Sequence, residues 1–185
     1  MKIICPNLKN EEVAREFEEL KNATSEAAAY HIWSQNNGNG IDKAPNGEPS
    51  KLFSDLLEHY NGDRVAAIQA KARTYSKSFK EWFGESKVVD KNGEPLVVYH
   101  GTNYTISDFN YKDDREFNPG FFFTSDKNYA ESVAEAKSGN IIMSVFLKIT
   151  NPIYTETDLV SKDIESIYIY AVSYTHLRAH ETDSY

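Results

Sequence analysis

Residues 96–102 read Leu-Val-Val-Tyr-His-Gly-Thr, "LVVYHGT". Apolar and β-branched residues run directly into an imidazole and then into a residue with no side chain. The run has the composition of a strand. Its end is open to two explanations: a strand that stops at a turn, or a strand end where backbone and histidine meet a ligand, since glycine permits close approach of the main chain.

Just upstream, "SKVVDKNGEP" (86–95) sets a second apolar run apart from the first by Asp90-Lys91-Asn92-Gly93, a hairpin signal. Downstream, "GFFFTSD" (120–126) gives three aromatics followed by two hydroxyls and an acid. Ser125 or Asp126 is placed to cap a helix over "KNYAESVAEAK", which Gly139-Asn140 ends. "IIMSVFLKITNPIY" (141–154) is strand-like up to Asn151-Pro152, and "SIYIY" (166–170) begins a further strand.

Before Gly84 the pattern is helical. Asn10 precedes "EEVAREFEELK", with Val13, Phe17 and Leu20 at helical spacing, and Thr24 or Ser25 caps "EAAAYHIWSQ". The loop "NNGNGIDKAPNGEP" (36–49) is an ordinary connector. Ser50 starts "KLFSDLLEHY", stopped at Asn61-Gly62, and Asp63 caps one long run, "RVAAIQAKARTYSKSFKEWF". Val65, Ile68, Ala72, Tyr75, Phe79 and Trp82 or Phe83 form its apolar stripe. His31 and His59 read as helix histidines, and Trp33, Trp82 and Phe83 as core. The expectation is an α+β chain: a helical segment over 1–84, then strands with one short helix between them over 85–170.

Residues 171–185 are set apart. Val172 to Thr182, "VSYTHLRAHET", reads as the translation of a transposase sequencing adapter. It is treated as a non-native tail on a C-terminally truncated, metagenomic frame. His176 and His180, four apart with Glu181 adjacent, would otherwise suggest a zinc pair; with the tail excluded no metal site is expected.

Composition narrows the function classes. With 40% hydrophobic residues, 12 Tyr and 10 Phe, the chain can build a core, and its formal charge of −8 argues against broad nucleic-acid or anionic-membrane binding. A single cysteine, Cys5, gives no internal disulfide and fits a reducing compartment. No apolar run approaches a membrane span. A cytoplasmic location is expected.

"FGESKVVDKNGEPLVVYHGT" (83–102) followed by "GFFFTSDKNYA" (120–130) resembles the ADP-ribosyltransferase modules of polyvalent proteins from bacteriophages and mobile elements. These are similar to the branch that holds diphtheria toxin and the poly(ADP-ribose) polymerases. The resemblance covers 83–154 and implies NAD as co-substrate with no metal. His100 would bond the adenosine ribose, and the Gly101 backbone the nicotinamide carboxamide. Thr102 would add a hydroxyl contact. Phe122 would stack on the nicotinamide ring where the family has tyrosine, keeping the face and losing the phenol, with Phe121 and Phe123 one register away. Thr124 and Ser125 stand in the family's small or polar positions. A strand glutamate that stabilises the cationic sugar has no match: Glu156 and Glu165 lie in acid-rich stretches, and Glu181 is in the tail. His100 and Phe122 are thus the motif residues present.

Three functions follow. The intact parent transfers ADP-ribose from NAD to a host macromolecule, protein or nucleic acid, while this chain is inactive. Alternatively the module binds NAD or a nucleotide without catalysis, or it is an interaction component that docks through the helical segment.

Overall fold

The computed structural model describes residues 23–106, 120–152, 169–172 and 179–181. The proposed helix at Val13, Phe17 and Leu20, together with Cys5, Glu156, Glu165 and His176, lies outside them. Among the described residues the helices are α1 (Ser25–Gln35), α2 (Lys51–His59), α3 (Arg64–Thr74), α4 (Lys77–Phe83) and α5 (Lys127–Ala136). The strands are β1 (Val98–Thr102), β2 (Gly120–Phe123), β3 (Ile141–Leu147), β4 (Ile169–Val172) and β5 (Ala179–Glu181). The class is α+β, as expected.

Local chemistry sets most boundaries. Thr24, Ser50, Asp63 and Asp126 each accept hydrogen bonds from first-turn amides of α1, α2, α3 and α5. Asn61 and Gly62 both take positive φ after α2, which closes it as expected. One boundary differs. The run after Asp63 is two helices, not one. Tyr75 ends α3, and Ser76 opens α4 by accepting from the Phe79 amide at 3.1 Å. The break has a tertiary cause: the Tyr75 hydroxyl donates to Asn36 Oδ1 at 3.1 Å and to Glu94 Oε1 at 3.4 Å. Of the expected stripe, Ile68, Ala72, Phe79 and Phe83 are buried, while Val65 is exposed. Trp33, expected in the core, is 49% exposed and stacks on Tyr30.

β1 and β3 pair antiparallel, Val98 opposite Val145 and His100 opposite Met143, with β5 on the far side of β3. One face of this sheet, carrying Tyr99 and Phe146, joins α1 to α4 in a core that contains Ile32, Leu56, Ile68 and Phe79. The other face, carrying Val98, Met143, Val145 and Leu147, packs on Phe123 of β2. The core therefore runs across Gly84, and the helical and β portions bury one another's apolar surface.

A polar cluster fastens the same junction. Lys71 is fully buried; its ammonium donates to the carbonyls of Ile41 and Lys43 and to Ser50 Oγ, and forms an ion pair with Glu94 Oε1 at 3.1 Å. Two Asn-Gly-Glu-Pro turns meet there, 46–49 and 92–95, each with a positive-φ glycine and an antiparallel bridge closing on its proline. Asn46 Nδ2 donates to Asn92 Oδ1 at 3.1 Å, and Asn92 Nδ2 to the Pro49 carbonyl at 3.2 Å.

The strand foreseen at 166–170 is β4, and it crosses the proposed 170/171 boundary to pair with β2. Residues 179–181, within the stretch set apart as a tail, pair with β3, Glu181 opposite Val145.

Candidate functional site

β1 carries the residues of the opening motif, and its hydrogen bonding defines the site. Tyr99 gives both backbone groups to Thr124: its amide donates to the Thr124 carbonyl at 2.7 Å, and its carbonyl accepts from the Thr124 amide at 3.0 Å. This bridge joins the β1–β3–β5 sheet to the β2–β4 pair. Alternate residues of a strand turn their backbone groups to the same side. The amide and carbonyl of Gly101 therefore point like those of Tyr99, away from β3 and toward β2.

A continued ladder would set Gly101 against Phe122. The pairing stops at the bridge instead, and the His100 imidazole takes the Phe122 carbonyl, Nδ1 to O at 2.7 Å. A carbonyl only accepts, so Nδ1 carries the proton and Nε2 of the neutral ring is an acceptor. The register leaves the Gly101 amide and carbonyl on the β2 side of β1, beyond the last paired residue.

Burial keeps His100 neutral. The residue is 7% exposed, its ring edge-on to Phe121 at 6.3 Å and tilted against Phe123 at 5.5 Å. Desolvation pushes its pKa below the ordinary 6.5, the Phe122 carbonyl opposes that shift, and the Lys137 charge adds to it.

Gly101 also has a packing role. A Cβ there would lie 2.0 Å from the Ala130 carbonyl oxygen and 2.9 Å from the Ala134 amide nitrogen, both backbone atoms of α5. The missing side chain lets α5 lie directly on β1. Just past α5, the Lys137 ammonium donates to the Gly101 carbonyl at 3.0 Å.

The other motif residues divide. Phe122 lies on the opposite face of β2 from Phe121 and Phe123, and its ring is 50% exposed while Phe123 is buried. The register extended from Tyr99–Thr124 puts it across the gap from Gly101, on the same face. Thr102 and Thr124 are buried; Thr102 Oγ1 accepts from the Tyr104 amide at 3.4 Å and Thr124 Oγ1 from the Asp126 amide at 3.0 Å. Ser125 is buried between the bridge and the cap of α5. These three shape the ends of β1 and β2. The sequence reading missed Lys137, whose only signal was its position at a helix C-terminus.

Among the described residues, no group of three or more His, Cys, Asp or Glu could hold a metal ion, and no helix is long and apolar enough to cross a membrane. No curated protein and no solved structure matches the chain. A family model does: ADP-ribosyltransferase in polyvalent proteins, over residues 90–184. The match starts at the second Asn-Gly-Glu-Pro turn, takes in β1 to β5, and runs through the stretch that the sequence reading set apart. With more than half of its length matched, the chain belongs to the family of ADP-ribosyltransferases in polyvalent proteins.

Proposed function

We propose that the chain is the NAD-holding part of a transferase that moves ADP-ribose from NAD to a macromolecular acceptor of a phage or mobile-element host. The observation that carries this reading is the split between β1 and β2. Beyond the Tyr99–Thr124 bridge the Gly101 amide and carbonyl stay on the β2 side of β1, one donor and one acceptor of the same residue, the carbonyl also accepting from the Lys137 ammonium at 3.0 Å. A primary carboxamide, with one carbonyl and one NH₂, is complementary to that edge. His100 Nε2, an acceptor in the neutral ring, suits a ribose hydroxyl, and the half-exposed face of Phe122 suits a pyridinium ring.

NAD supplies the ADP-ribosyl group and a nicotinamide leaving group. The residues named here bind and orient; none is a carboxylate positioned to stabilise the sugar cation. Of the glutamates considered for that role, Glu156 and Glu165 lie outside the described residues, and Glu181 is placed by its backbone register alone. Our reading is that this chain binds NAD and does not turn it over. Titration with NAD followed by tryptophan fluorescence, beside a nicotinamide-release assay, tests both halves. Saturable binding without release is expected. Absence of binding sinks the NAD reading, and release abolished by Glu181→Gln would assign the carboxylate to β5 and overturn the tail's exclusion.

A further inference from the structure

α5 ends against the last residues of β1. Its cap at Lys137 is followed by Ser138, at positive φ, and by Gly139, whose amide returns to the Ala134 carbonyl at 2.9 Å. A Cβ on Gly139 would run into the Asn103 backbone and lie 2.7 Å from the Thr102 carbonyl oxygen, so this turn is seated on the strand end. The seat fixes the root of the Lys137 side chain beside Gly101, and the ammonium donates to the Gly101 carbonyl at 3.0 Å. Lys137 is otherwise exposed, and its charge is near enough to push the His100 pKa down.

The ammonium therefore sits on the one acceptor that a carboxamide NH₂ would use at this edge. A carbonyl oxygen has two lone pairs. A second donor arriving beside an ammonium nevertheless meets its charge, and the nicotinamide ring of NAD is itself a cation, so the two repel.

We propose that Lys137 is a specificity-determining residue of the Gly101 edge: its ammonium occupies the carbonyl in the free chain, and the carboxamide NH₂ of NAD binds by displacing it. Exchanging one donor for another on the same oxygen leaves little net gain. The lysine thus limits how strongly the site tells a carboxamide from a carbonyl group that has no N–H. This inference rests on reading the β1–β2 gap as the dinucleotide site.

The test uses the full chain, as wild type, Lys137→Met and Lys137→Arg, titrated by calorimetry with NAD and with its acetylpyridine analogue, in which a methyl ketone replaces the carboxamide. Both ligands carry the ring charge and the same adenosine; they differ in the NH₂. Thermal unfolding confirms that each variant is folded, which the exposure of Lys137 favours. Wild type is expected to hold the two ligands within about twofold of each other. Lys137→Met frees the carbonyl, and the preference for NAD over the ketone should rise about three- to tenfold, the worth of one ordinary hydrogen bond. Lys137→Arg should keep the wild-type ratio. A ratio that stays put or falls in Lys137→Met, or a wild type that already prefers NAD by about tenfold, overturns the proposal while the dinucleotide reading stands. If neither dinucleotide binds any of the three proteins, the dinucleotide reading falls and this inference falls with it.

Discussion

Replacing Gly101 by alanine separates the two reasons for a glycine at that position. The backbone is extended there, not left-handed, so the substitution carries no torsional penalty. The added Cβ would lie 2.0 Å from the Ala130 carbonyl oxygen. Non-bonded heavy atoms rest at about 3.5 Å, so α5 has to retreat by more than about 1 Å. The clash is with helix backbone and no rotamer relieves it. Ala130 and Ala134, which seat α5 on the sheet, are both essentially fully buried, so the retreat also opens a gap along the helix. Overpacking of this kind costs about 3 kcal/mol, a fall in Tm of about 6–12 °C for a chain of this size. Circular dichroism melts of wild type and Gly101→Ala without ligand measure it. A Tm within about 2 °C of wild type would refute the packing argument and leave ligand approach as the sole reason for the glycine.

Other consequences follow from the same geometry. Phe122→Ala should leave Tm nearly unchanged and weaken NAD binding, whereas Phe123→Ala, deep in the second core, should cost about 3–5 kcal/mol in urea unfolding; equal effects in both assays would mean the two rings are misassigned. Lys71→Met leaves Glu94 buried without its cation and should cost about 3–5 kcal/mol, with much of that recovered in Lys71→Met/Glu94→Gln; an additive double variant would show that the pair does not couple. His100 has a folded pKa below 6.5, so the unfolded chain takes up its proton at the higher pH. Stability is therefore lost as pH falls from about 6.5 through the folded pKa, and His100→Gln should flatten the urea-midpoint profile in that window; an unchanged profile would place the titration elsewhere.

What could be read from the sequence was what short-range chemistry decides. The caps at Ser50, Asp63 and Asp126 act on amides two or three residues away, and the Asp90–Gly93 turn closes on itself through the Asp90 carboxylate, which accepts from the amides of Asn92 and Glu94. The strand ending in His100-Gly101 was legible as a motif. Its two-fold use of glycine was not, because the second reason is a helix beginning 26 residues later, at Lys127. The break at Tyr75-Ser76 escaped for a similar reason: Tyr75 is held by Asn36 and Glu94, groups far away in sequence. Lys71 sits in a run that reads as one amphipathic helix, and nothing local marks its amine as buried. One signal for that junction was present, the repeated Asn-Gly-Glu-Pro, and its two copies meet across the boundary proposed at Gly84.

The measurement closest to the central claim is the amide spectrum of chain labelled with ¹⁵N only at its 9 glycines, recorded during titration with NAD. The account predicts a saturable shift of the Gly101 resonance, while Gly62 and Gly93, at the tips of surface turns, stay in place. Saturable binding of NAD that leaves Gly101 unmoved would contradict it, because the dinucleotide would then be held somewhere other than the gap between β1 and β2.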